Sequence, residues 1–176
     1  AGRHLVGILG TLLVNKPAIL PSNQSPLGSL PSRFRRERVL IVGCGDIGMR
    51  VADQLSPRVR LLALTSNATR APQLRAHGVT PLNGNLDAPR TLRRLAGLAT
   101  RVVHLAPPPA NGWADTRTQS LAQALRMRAR PRSVVYGSTT GVYGDCGGEW
   151  VAETRAVRAH SPRAQRRVDA EARMRF

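Results

Sequence analysis

From Arg38 onward the apolar positions alternate between two rhythms. Val39 to Val42 is an unbroken apolar run, and Ile47, Val51, Ala52 and Leu55 then recur at helical intervals until Pro57 stops them. Val59 to Thr65 reads as a second strand. "TRAPQLRAHG" follows as a helix closed by Gly78, a residue suited to a left-handed C-terminal position. "VTPL" is a brief third strand, and "DAPRTLRRLAGL" reads as a helix with Asp87 as N-cap and Leu92, Leu95 and Leu98 on one side. "RVVHLA" is a fourth strand. "DTRTQSLAQALRMRA" is a long amphipathic helix expected to turn Leu121, Ala122, Leu125 and Met127 or Ala129 inward. Ser133 to Tyr136 is a fifth strand, and Ser161-Pro162 opens a last helix that runs to the chain end. Strands that alternate with helices in this way predict an α/β fold: a doubly wound, mainly parallel sheet with helices on both faces and right-handed crossovers.

Residues 1–37 break this rhythm. "HLVGILGTLLV" is too short for the roughly twenty residues a membrane span needs, and Lys16 to Arg38 shifts to Pro, Ser and Arg. The segment reads as an N-terminal extension and linker, and residues 38–176 as one domain. A chain of 176 residues suffices for one core and one site. Its formal charge is +17, with Lys16 the only lysine, so its surface would attract polyanions. Arg58, Arg75, Arg93, Arg117, Arg132 and Arg158 are nevertheless spread over every segment, and aromatic residues make up only 3% of the chain. A nucleic-acid partner is therefore kept only as an alternative, one that predicts affinity falling steeply with salt. Cys44 and Cys146 carry no metal-ligand or disulfide spacing, which predicts no metal site and a reducing, cytoplasmic compartment.

The candidate chemistry starts at "VGCGDIG". The pattern Gly43-x-Gly45-x-x-Gly48 ends a buried-looking strand and opens a helix, the placement that a dinucleotide-binding turn requires. Gly43 permits the tight turn, Gly45 lets the backbone approach a pyrophosphate, and Gly48 lets helix and strand pack closely. The phosphates would sit at the positive end of the helix, beside Asp46 and Ile47. Asp46 opposes them unless its carboxylate turns outward to cap the helix. The other reading of the corner is a purely structural turn. At the end of the second strand, Thr65-Ser66-Asn67 stands where an NAD-selective site carries a carboxylate, and Arg70 follows; hydroxyls and a guanidinium favour NADP over NAD. Arg70 is equally readable as a solvated surface residue.

"VGCGDIG", "GNLD", "VVHLAPPP" and "YGSTTGVYGD", in this order and spacing, resemble the extended short-chain dehydrogenase/reductase superfamily, and within it the NAD(P)-dependent epimerase/dehydratase-like proteins. The likeness covers residues 38 to about 171 and implies a Rossmann-like fold. It assigns Asn85 and Leu86 to the adenine pocket and His104, Leu105, Ala106 and Pro107 to the ribose and nicotinamide side. Thr139 falls where the family places its catalytic serine or threonine. A small polar or sugar-nucleotide-like substrate, hydride transfer at a carbinol or carbonyl carbon, and a homodimer are further implications.

Two departures from the family pattern stand out. The Tyr-x-x-x-Lys pair that opens the last helix of such enzymes is replaced by Arg163 and Arg167. Arg167 could still hold a ribose hydroxyl, but Arg163 cannot exchange a proton, because a guanidinium stays charged below a pKa of about 12. Tyr143, Tyr136 or His160 would have to supply that proton. The substrate region that extended members carry after this helix is not among these 176 residues, which read either as a fragment or as a shortened relative. A non-catalytic dinucleotide sensor is accordingly the first alternative to an enzyme.

Overall fold

The computed structural model describes residues 36–175. The N-terminal extension up to residue 35, with its apolar run, lies outside the described residues, as does Phe176. Five strands, β1 (Arg38–Val42), β2 (Arg60–Thr65), β3 (Val79–Asn83), β4 (Arg101–His104) and β5 (Ser133–Tyr136), form one sheet in the order β3-β2-β1-β4-β5. Every pairing is parallel. Four α-helices accompany them: α1 (Asp46–Leu55), α2 (Ala71–Ala76), α3 (Thr116–Arg126) and α4 (Pro162–Met174). The chain order reverses between β1 and β4, which makes their carboxyl ends the switch point where such sheets bind ligands. The fold is the doubly wound, Rossmann-like α/β architecture that the sequence predicts.

Each face of the sheet has its own apolar layer. Leu40, Val42, Leu62, Leu64 and Val102 pack under Leu92, Leu95, Leu121, Leu125 and Met174 on one side. Val39, Ile41, Leu61, Ala63 and Val79 pack under Ala52 and Leu74 on the other. β1 and β2 are buried on both faces, so they appear in the sequence as continuous apolar runs without alternation. A fully buried leucine such as Leu40 or Leu121 contributes on the order of 2 kcal/mol.

Several expected elements differ. The helix expected over 69–78 is a 3-10 turn at Ala68–Arg70 followed by the six-residue α2, because Pro72 sits in its first turn and resets the helix there. Residues 89–95 form a 3-10 helix instead of an α-helix. Asp87 is not its cap; that carboxylate is bound by Arg117, and Ala88 at the cap position offers no side-chain acceptor. α3 ends at Arg126, which leaves Met127 (56% exposed) and Ala129 outside the core instead of facing inward. Ile47 is likewise turned to solvent, and only Ala52 of its helical stripe is fully buried. Among the described residues no helix is long and apolar enough to cross a membrane.

Candidate functional site

Strand register sets the site's frame. Leu82, Leu64, Val42, His104 and Tyr136 stand opposite one another across β3, β2, β1, β4 and β5, near the carboxyl ends of the strands. Side chains in register share a face, so this row runs from aliphatic at β3 to polar at β5.

The glycine corner sits at the middle of the row. Gly43 has φ +87°, and a Cβ there would lie 2.4 Å from the Ala106 nitrogen, so the corner abuts the exit of β4 and only glycine fits. A Cβ on Gly48 would lie 2.9 Å from the Gly43 carbonyl oxygen. Gly45 differs: nothing lies within 4 Å of where its Cβ would be, and its backbone is extended. As N-cap of α1 it provides no side-chain acceptor, so the first N–H groups of α1 are left without a side-chain cap. Asp46 does turn outward, but it does not cap the helix. Its carboxylate takes a hydrogen bond from Arg50 at 3.1 Å, which spends its charge away from the corner. Cys44 is buried in the corner with its thiol 3.5 Å from the Met49 sulfur. Burial pushes that thiol up, and the charge of Arg70 offsets part of the shift.

Beside the corner opens a cleft of about 280 Å³. Of the residues singled out from the sequence, Gly43, Ser66, Asn85, Leu86, Ala106 and Pro107 line it. Val42, Leu64, Gly84, Asp87 and Arg117 complete the lining, and none of these five was assigned to the site from the sequence. Arg117 grips Asp87 through two bonds of 2.8 and 2.7 Å, and it holds that carboxyl below the usual carboxylate range. These two residues are thirty positions apart, and no local pattern links them. Thr65 is not among the lining residues; its hydroxyl donates to the Asn67 carbonyl at 3.0 Å. Leu105 packs toward β5, with Cδ2 3.0 Å from where a Gly137 Cβ would be.

At the β4–β5 end the chemistry is carried by side chains. His104 is buried, and its Nε2 is 2.8 Å from the Thr118 hydroxyl. That hydroxyl donates to Asp115 Oδ2 at 2.8 Å, so the imidazole carries its proton on Nε2. Burial pushes the His104 pKa down to about 4, so the ring is neutral at physiological pH. Asp115 caps α3 through the Thr118 amide (2.9 Å), and its own amide donates to Asp169, which also accepts from Arg173. The Asp115-x-x-Thr118 spacing is a capping signal present in the sequence; its link to His104, fourteen positions before Thr118, is not.

The expected catalytic positions fall on two elements, the 3-10 turn after β5 and the last helix. Thr139 is the N-cap of the 3-10 turn Thr140–Tyr143, accepting from the Gly141 amide at 3.4 Å. Tyr143 lies half-buried in that turn. Arg163 is exposed on the first turn of α4. Arg167 reaches the sheet. Its Nη1 donates to the Tyr136 hydroxyl at 3.0 Å and to the Gly137 carbonyl at 2.8 Å, so that nitrogen is already spent on the protein instead of being free for a ribose.

Comparison with known proteins places this geometry. A conserved protein of unknown function from Silicibacter pomeroyi superposes with a TM-score of 0.62 at 28% identity, over 78% of this chain and 47% of that one. The UDP-glucose 4-epimerase of Thermus thermophilus, solved in complex with NAD, gives 0.63 at 25% identity over 77% and 49%. The dTDP-glucose 4,6-dehydratase of Bacillus anthracis, also in complex with NAD, gives 0.64 at 16% identity over 77% and 48%, a likeness of fold alone. The chain thus spans about half the length of the solved structures it matches. No curated protein matches it. The model of the TrkA-N domain matches residues 39–135, from β1 to β5 and more than half of the sequence, and the chain belongs to that family.

Proposed function

We propose that this chain binds a nicotinamide dinucleotide across the β1–β4 switch point and is the cofactor half of an enzyme of the extended short-chain dehydrogenase type. The observation that carries the reading is the bare corner at Gly45: open space over the uncapped start of α1, flanked by a cleft on the β2 side. Residues that fit a diphosphate in this way need backbone approach and unspent amides, and both are present. The adenosine end would occupy the cleft beside Ser66, Asn85 and Leu86, with Gly43 and Gly45 under the pyrophosphate and Ala106 and Pro107 toward the second ribose. Ile47 would shield the phosphates from the solvent side.

No carboxylate follows β2 to repel a 2′-phosphate, and Arg70 lies near the corner, so NADP is preferred over NAD. The Thermus thermophilus epimerase and the Bacillus anthracis dehydratase are in complex with NAD, in line with a nicotinamide cofactor in general. Bound here, such a group would supply or accept a hydride. The substrate class carried by the likeness is a small polar or sugar-nucleotide-like carbinol or carbonyl compound. A second reading, binding without chemistry, rests on the exposed Arg163 in the place of the family's proton-transferring tyrosine.

Fluorescence titration with NADPH and NADH tests the proposal. Saturable binding of both, tighter for NADPH, is expected. Saturable binding of neither overturns it.

A further inference from the structure

Three side-chain nitrogens among the described residues are buried without a hydrogen-bond partner: His104 Nδ1, Arg167 Nε and Arg166 Nε. Two of them belong to the residues packed on Tyr136. The His104 ring centroid lies 5.3 Å from that of Tyr136 in a tilted arrangement, and the Arg167 guanidinium stands 5.6 Å over the phenol ring. The Tyr136 hydroxyl oxygen accepts from Arg167, while its own proton has no acceptor among the described residues. Buried polar groups are normally satisfied, and unpartnered nitrogens of His104 and Arg167 on two sides of one half-buried phenol single out the carboxyl end of β4 and β5.

We propose that Tyr136, on strand β5, is the acid–base group of this site, with Arg167 as its cationic partner, so that the strand supplies the phenol that the last helix lacks at Arg163. The proposal rests on dinucleotide binding at the glycine corner. Leu64, which lines the cleft, and Tyr136 are three strand steps apart in one row, about 14 Å at about 4.8 Å per step. That is the scale of an extended dinucleotide, so one with its adenosine end in the cleft would have its nicotinamide end toward the phenol. In the reductive direction a reduced nicotinamide, when bound, would supply the hydride to a substrate carbonyl carbon. Its oxygen takes the Tyr136 proton, which yields the alcohol, the oxidised nicotinamide and a tyrosinate held by Arg167. A proton from solvent then restores the phenol.

The surroundings suit a donor. Burial raises the Tyr136 pKa, and the hydrogen bond and charge of Arg167 act in the opposite direction. Asp115 from the cap of α3 and Glu171 from α4 push it up further, while His104 on β4 is neutral at physiological pH. The free protein therefore holds the proton at neutral pH, and the guanidinium stabilises the anion once it is formed.

The chain contains only two tyrosines, Tyr136 and Tyr143, so tyrosinate absorbance can be assigned. The difference between the wild type and Tyr136→Phe isolates Tyr136 even where Tyr143→Phe fails to fold. Saturating NADP+ should lower the Tyr136 midpoint by about one pH unit, because a cationic nicotinamide nearby favours the tyrosinate. Arg167→Met should raise the midpoint in the free protein, and Arg167→Lys should restore part of the shift. NADPH binding that leaves the Tyr136 titration unmoved by NADP+ overturns this assignment and leaves cofactor binding standing. Absence of NADPH binding overturns both.

Discussion

The two ends of the residue row at the carboxyl side of the sheet are built on different principles. At the β2–β1 end, Leu64 and Val42 are buried aliphatics, and the proposed recognition falls to the main chain of Gly43 and Gly45. At the β4–β5 end, His104 and Tyr136 stand in register with them and are held by Thr118, Asp115 and Arg167. A site made of backbone is specified by what is missing from the side chains. It is therefore sensitive to added bulk wherever the backbone must be approached closely. A site made of buried polar side chains depends on distant partners and on pH. This is why a glycine pattern can be found in the sequence while its polar counterpart is hidden there.

Adding a single methyl gives the largest expected break. Gly43→Ala places a Cβ 2.4 Å from a backbone nitrogen at a residue with φ +87°, and it should cost about 3 kcal/mol or more. Urea unfolding should show a large fall in midpoint. An unchanged midpoint would mean that the corner does not abut β4.

The polar end should respond to acid. The folded protein refuses a proton on His104 that the unfolded chain accepts below its ordinary pKa, so this contribution is complete above about pH 6.5 and is lost as the pH falls toward about 4. By linkage the loss at pH 5 is about 2 kcal/mol. His104→Gln should flatten the pH dependence of the urea midpoint between pH 7 and 5. A wild type and variant with parallel profiles would show that the imidazole titrates normally.

Gly45→Val sharpens the contrast within the corner itself. Its backbone is extended and its surroundings are empty, so stability should stay within about 1 kcal/mol of wild type. NADPH affinity should fall at least about tenfold, equivalent to about 1.4 kcal/mol. Undiminished affinity in a folded variant would remove the corner from the binding site. The smallest effect belongs to the rim of the cleft. Arg117→Met breaks a partly exposed ion pair with Asp87 and should change stability by less than about 1 kcal/mol, measured by the same unfolding curves.

The legible part of this protein was local. Continuous apolar runs marked β1 and β2 because parallel strands are covered on both faces, and Gly43, Gly45 and Gly48 could be read because their roles depend only on backbone shape and spacing. A helix end was legible where the capping side chain is a neighbour, as at Ser161. Another was misread where a distant residue intervened: Arg117 takes the Asp87 carboxylate, and the segment after it winds as a 3-10 turn. Met127 follows the helical stripe in the sequence, yet α3 stops one residue earlier. Arg167 could be located as the residue in the lysine position, but not its engagement with Tyr136, thirty-one positions away.

The sequence by itself determined the order of strands and helices, the parallel sheet that follows from it, and the glycine corner, because all three are consequences of short-range periodicity and backbone sterics. The tertiary structure alone decided the Asp87–Arg117 pair, the buried state of His104 and the union of Tyr136 with Arg167. Those contacts depend on which strand ends the sheet brings into register, and register is fixed by the burial of both faces at once.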